Sequence, residues 1–104
     1  MHLHAHQNAD PGSRQRVPLL LDIQVDLLSE LATRVVVPLY PVRAHRSRAL
    51  TTLNPVLQVE GRAYVMATQE MAGVSKKVLG KAVVDCSGNR VEITAALELL
   101  LTGI

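Results

Sequence analysis

The sequence predicts an α+β domain in which five or more short antiparallel strands form a small, partly open β-barrel and a single C-terminal helix packs against it. Three observations carry that prediction. Strand patterns punctuated by turn residues fill the chain as far as Asp85, and one 3.6-residue pattern occupies its last dozen residues. Apolar residues make up 48% of the 104 positions, enough for a single core over residues 1–104 without disulfide or metal staples.

His2-Leu3-His4-Ala5-His6 alternates at period two, as a half-buried strand does, and the turn-rich Asn8-Ala-Asp-Pro-Gly-Ser13 follows it. A hairpin into Val17–Val25 comes next. Its Leu19-Leu20-Leu21 run has the continuous apolar character of a strand covered on both faces. Residues Leu27–Ala32 are too few for a helix of their own and read as a loop with one helical turn. Arg34-Val-Val-Val-Pro-Leu39 is β-branched, and its proline places Pro38 near an edge or a strand end.

Pro55–Thr68 divides into two strands at Glu60-Gly61, where glycine supplies the positive φ of a tight reversal. Short β segments at Lys77–Leu79 and Ala82–Asp85 flank Gly80. The terminal helix opens at Asn89, with Glu92 three residues on as in a capping box.

On a wheel of about 100° per residue, Arg90, Thr94, Glu98 and Thr102 fall on one narrow polar stripe. Ile93, Ala95, Ala96, Leu97, Leu99 and Leu100 share the rest, an apolar arc roughly 200° wide. A helix lying on one sheet needs about half of that, so the surplus predicts a homodimer contact. The chain then ends on Leu101-Thr102-Gly103-Ile104, an apolar residue behind a flexible glycine. Terminal residues are usually polar and loose. This ending instead reads as a tail that is docked or offered to a partner, against the simpler reading of Gly103 as an αL cap.

Composition removes several function classes. With 11 Lys and Arg against 9 Asp and Glu, the net charge of +2 is too small to recruit nucleic acid at long range. Tyr40 and Tyr64 are the only aromatic residues, so single-stranded bases have no stacking platform. Cys86 is the only cysteine, which excludes an intramolecular disulfide and a clustered-thiol zinc site; it reads as a small buried apolar residue. Met1–Gln7 lacks the basic start and apolar core of a signal peptide, and no apolar run approaches the ~20 residues of a membrane span. A soluble protein of the reducing cytoplasm is expected.

No catalytic constellation is evident. Ser29, His45 and Asp26 lack nucleophile-elbow spacing, there is no phosphate-binding glycine loop, and no cofactor is implied. His2, His4 and His6 share one face of the first strand, near enough for imidazoles to bind a transition metal. Without a carboxylate or thiol partner they read as solvated, and no metal site is assigned. The basic run Arg43-Ala-His-Arg-Ser-Arg48 reads as a solvated turn, or as a contact for phosphate or an acidic partner.

Asp22-Ile-Gln24, Asp26-Leu-Leu28, Arg34-Val-Val-Val-Pro-Leu39, Pro55-Val56, Met66, Thr68, Met71-Ala72, Val78-Leu-Gly80, Asp85 and Gly103-Ile104 together resemble the CcdB family of plasmid and chromosomal toxins. Each motif is short, but their order and spacing hold from Pro18 to Ile104 without a gap. The resemblance implies an SH3-like, partly open barrel with a C-terminal helix, homodimeric and without enzymatic activity. It implies the toxin of a type II toxin–antitoxin system. Such a toxin binds the A subunit of DNA gyrase, traps the cleaved-DNA complex, and is neutralised by a disordered segment of a cognate antitoxin.

The resemblance also points to the last three residues, Trp-Gly-Ile in the family, as essential to poisoning. Gly103 and Ile104 keep that pattern, whereas Thr102 replaces the tryptophan and loses a cation–π contact worth about 0.5 to 2 kcal/mol. Glu98 stands where the family has asparagine, putting an acceptor-only charge in place of a donor and acceptor. The expected gyrase-binding residues are thus Glu98, Leu101, Thr102, Gly103 and Ile104. Losing one hot spot of about 2 to 4 kcal/mol weakens binding roughly 30-fold to 1000-fold. Two alternatives stand beside the gyrase poison: a relative that binds antitoxin without poisoning gyrase, and an endoribonuclease on the same fold.

Overall fold

The computed structural model describes residues 3–24, 28, 30–44 and 52–103. Seven strands, β1 (His4–Asn8), β2 (Leu19–Asp22), β3 (Thr33–Pro41), β4 (Val56–Val59), β5 (Arg62–Met66), β6 (Ala72–Ser75) and β7 (Leu79–Asp85), precede one helix, α1 (Arg90–Thr102). The strands form a curled, open antiparallel sheet in the order β4-β5-β3-β2-β1-β7, with β6 added beside β3. This is the half-barrel with a terminal helix that the sequence predicts. No helix among the described residues is long and apolar enough to cross a membrane.

The sheet has two apolar faces because its middle strands are covered on both sides. Leu19 and Leu21 of β2 join Leu3, Ala5, Val37, Leu39, Leu57, Met66, Ile93 and Ala96 in the main core, whereas Leu20 faces a smaller cluster with Val17, Val36, Tyr40 and Ala67. Alternation along each strand sorts residues between the two. All four residues of β2 are buried, as its unbroken apolar run predicts.

Asp22 ends that strand and is itself buried. Its Oδ2 accepts from Arg34 Nη2 at 2.6 Å, and its Oδ1 accepts from the Gln24 backbone at 3.0 Å. Gln24 then uses both ends of its amide, accepting from Val35 N at 3.0 Å and donating to Leu28 O at 2.8 Å. Together these bonds pin the chain beyond β2 to the start of β3 after the ladder has ended.

Several local expectations change for identifiable reasons. Pro38 lies inside the nine-residue β3, at the point where the strand changes neighbours: β6 pairs with Thr33–Val36 and β5 with Leu39–Pro41. A missing N–H costs little at such a gap, and the Pro38 carbonyl still accepts from Ala67 N at 3.0 Å. The Glu60-Gly61 reversal is as predicted, with φ of 51° and 79°, both positive as a two-residue hairpin turn of type I′ requires.

Gly80 does not separate two segments, because Leu79–Asp85 is one strand and Lys76–Val78 before it is a 3-10 turn. A Cβ on Gly80 would stand 2.9 Å from the Gln7 carbonyl oxygen, so glycine here permits close approach of β1 and β7. The first strand runs two residues further than the sequence pattern indicates, because Asn8 pairs with Leu79 and its N–H donates to Pro18 O at 3.0 Å. Strand β6 has no alternating pattern to reveal it and exists by completing the open edge of β3. Asn89 closes a 3-10 turn and makes no side-chain cap bond; Asp85 Oδ1 instead accepts from Ser87 N at 2.9 Å. The long strand expected over Val17–Val25 is limited to β2, and Val25, Leu27 and Ser29 lie outside the described residues.

Candidate functional site at the helix C-terminus

Helix α1 meets the barrel along a narrow face. Ile93 and Ala96 are wholly buried in the main core and Leu97 packs against it, while Val91 and Leu101 are 79% and 69% exposed. The stripe expected to face outward does so at Arg90, Glu98 and Thr102; Thr94 is half-buried. Ala95, Leu99 and Leu100 are also only half-buried, so much of the broad apolar arc is left outside the core.

The last turn gathers the predicted residues. Glu98, Leu101 and Thr102 are neighbours at i, i+3 and i+4 and all three are exposed. The Thr102 hydroxyl donates to the Glu98 carbonyl oxygen at 2.7 Å, the back-bond of a threonine to the carbonyl four residues before it. Gly103 adopts the left-handed conformation with φ 76° and its N–H donates to Leu99 O at 3.0 Å, the capping bond of a helix that ends on glycine. Nothing lies within 4 Å of where its Cβ would be, so conformation, not space, is what calls for glycine. Ile104 lies outside the described residues.

Electrostatics reinforce the geometry. The C-terminal end of a helix carries partial negative charge and normally attracts Lys or Arg, yet the last turn of α1 has no basic residue and presents Glu98 instead. The last turn thus sets a negative charge beside the exposed Leu101.

The other sequence candidates lie elsewhere. Arg43, the first residue of the basic run, lines an open groove of about 680 Å³ with Arg62, Pro18, Pro41 and Tyr64; His45, Arg46 and Arg48 are outside the described residues. Arg62 comes from the far side of the β4–β5 turn, and only the sheet topology brings it to Arg43, so no local pattern could have signalled it. Ser29, Asp26 and His45 likewise lie outside the described residues. Among the described residues no three or more His, Cys, Asp or Glu side chains are placed to hold a metal ion. Cys86 is buried as expected; burial and the neighbouring Asp85 charge push its thiol pKa upward, opposite to the shift that activates a nucleophile. Tyr40 is also pushed upward, by burial and then by Glu70, to which its hydroxyl donates, with Arg16 opposing.

Among the described residues, the two most exposed large apolar side chains of the open half-barrel, Val91 and Leu101, both lie on α1. The CcdB protein family matches residues 3–103, nearly the whole chain, and the chain belongs to that family. Its members are toxins of toxin–antitoxin systems that poison gyrase instead of catalysing a reaction.

Proposed function

We propose that this protein is the toxin of a type II toxin–antitoxin pair, acting in the cytoplasm as a homodimer that binds the A subunit of DNA gyrase and stabilises the cleaved-DNA complex. The family match across residues 3–103 is the observation that carries the reading. The exposed end of α1 supports the placement of the binding residues Glu98, Leu101, Thr102, Gly103 and Ile104. Such a poison breaks no bond. It needs only higher affinity for the open, cleaved state of its target, and that difference shifts the population.

Thr102 cannot stack as a tryptophan would, and its hydroxyl is already bonded to the Glu98 carbonyl oxygen. Recognition then rests on the apolar Leu101 and Ile104 and on the charge of Glu98, directed at a basic patch of the target. Half-buried Leu99 and Leu100 are the surface proposed for the dimer contact, so Leu99→Glu yields monomer or aggregate in sedimentation. A protein that stays monomeric at high concentration overturns the dimer. The groove between Arg43 and Arg62 is the proposed seat for an acidic segment of the cognate antitoxin.

The test is expression in a sensitive host with parallel assays for trapped gyrase–DNA complexes and for cellular RNA. Trapped complexes are expected, and they should disappear when Gly103 and Ile104 are deleted. RNA fragmentation without trapping would replace this reading with a ribonuclease. Silence in both, with antitoxin still bound, would mean a relative that no longer poisons gyrase.

A further inference from the structure

Leu3, just before strand β1, and Ala5 within it are buried in the main core, so His4 and His6 emerge together on the opposite face. Both rings are only partly exposed, and their centroids lie 6.5 Å apart with the planes inclined at 65°. His6 Nδ1 stands 3.1 Å from the Gly80 carbonyl oxygen. A carbonyl only accepts, so Nδ1 carries the proton and Nε2 keeps its lone pair. Metal-binding imidazoles have this arrangement, one nitrogen held by a backbone carbonyl and the other presented to the ion.

We propose that His4 and His6 form a two-imidazole site for a divalent transition-metal ion such as zinc, with water completing the coordination. Histidines at i and i+2 of a strand project side by side, a spacing one ion can bridge. With Zn–N near 2.1 Å and tetrahedral geometry, two imidazoles on one ion have centroids roughly 5 to 5.5 Å apart. The observed 6.5 Å is about 1 Å wider than that. Turning His4 toward His6, in exchange for a contact it now makes, brings the pair into reach. Asp85, the register partner of His4 on β7, places a carboxylate on the same side of the sheet and favours a cation there. Because β1 is bonded to β2 on one side and to β7 on the other, an ion held there stabilises the strand that joins the first hairpin to the last strand.

The experiment is a zinc chloride titration of the untagged full-length chain by calorimetry, with the histidine side-chain resonances followed by ¹⁵N NMR. One ion should bind per chain, the Nε2 signals of His4 and His6 should move together, and Tm should rise with zinc concentration. His4→Gln and His6→Gln should each weaken binding more than about tenfold. His45→Gln, far along the chain from the pair, should leave it within about twofold of the parent. His4→Gln leaves the bond to Gly80 in place and so carries the test if His6→Gln fails to fold. Binding that survives His4→Gln, or that leaves both Nε2 signals unmoved, overturns the proposal.

Discussion

Asp22 and Glu98 are both carboxylates on regular secondary structure, and they sit in opposite surroundings. Asp22, 6% exposed, has one oxygen on the Arg34 guanidinium and the other on the Gln24 backbone. Glu98 is exposed at the negative end of a helix whose last turn offers no basic residue, beside a leucine that is 69% exposed. At the β2–β3 seam the chain supplies partners for both Asp22 carboxylate oxygens and for both ends of the Gln24 amide. At the helix end it leaves charge and apolar surface turned outward, an arrangement that costs stability. Mutations should therefore separate the two regions, the seam controlling folding and the helix end controlling binding.

The largest effect is expected from breaking the seam on one side only. Arg34→Met removes the cation and leaves Asp22 buried without its main counter-charge, which costs about 3 to 5 kcal/mol in denaturant unfolding. The double variant Asp22→Asn, Arg34→Met should recover much of that loss, because no buried charge then lacks a partner. If the single and double variants were equally unstable, the seam would be a matter of packing and the contrast with Glu98 would lose its basis.

A smaller loss is expected at the β1–β7 contact. Gly80→Ala places a methyl group 2.9 Å from a backbone oxygen that cannot swing away, so β1 and β7 must separate, at about 1 to 3 kcal/mol. Amide exchange should quicken in the pairs Asn8–Leu79 and His6–Ala82 that flank the insertion, and not in α1. Exchange that quickens across the whole chain instead would mean that this contact and the helix unfold as one unit.

The contrast between seam and helix end also marks what could be read in the sequence. The Leu19–Leu21 run, the Glu60-Gly61 turn and the terminal helix each have a local signature, and each is present in the fold. Exposure of Glu98 and Thr102 follows from helical periodicity alone. Features that depend on distant chain segments were not legible: Gly80 looks like a strand breaker until Gln7 lies against it, and β6 has no pattern because β3 creates its ladder. Asn89 stands at the N-cap as its position predicts but makes no side-chain cap bond, since Asp85 serves the turn leading into the helix from outside the capping-box spacing. Arg62 in the Arg43 groove is the counterpart at a candidate site, invisible until the sheet is assembled.

The smallest effect on stability should accompany a large one on function. Leu101 is 69% exposed and contributes little to the core, so Leu101→Asp should change unfolding free energy by no more than about 0.5 kcal/mol. On the proposed docking face the same substitution adds a second negative charge one turn from Glu98 and removes an apolar anchor. Trapped gyrase–DNA complexes should then fall more than about tenfold, the scale of one lost contact of 1.4 kcal/mol or more. Equal stability with undiminished trapping would place the docking surface away from this face of α1. A marked loss of stability would mean that Leu101 is covered in the assembled protein, which would turn the same exposed residue into evidence for the dimer contact.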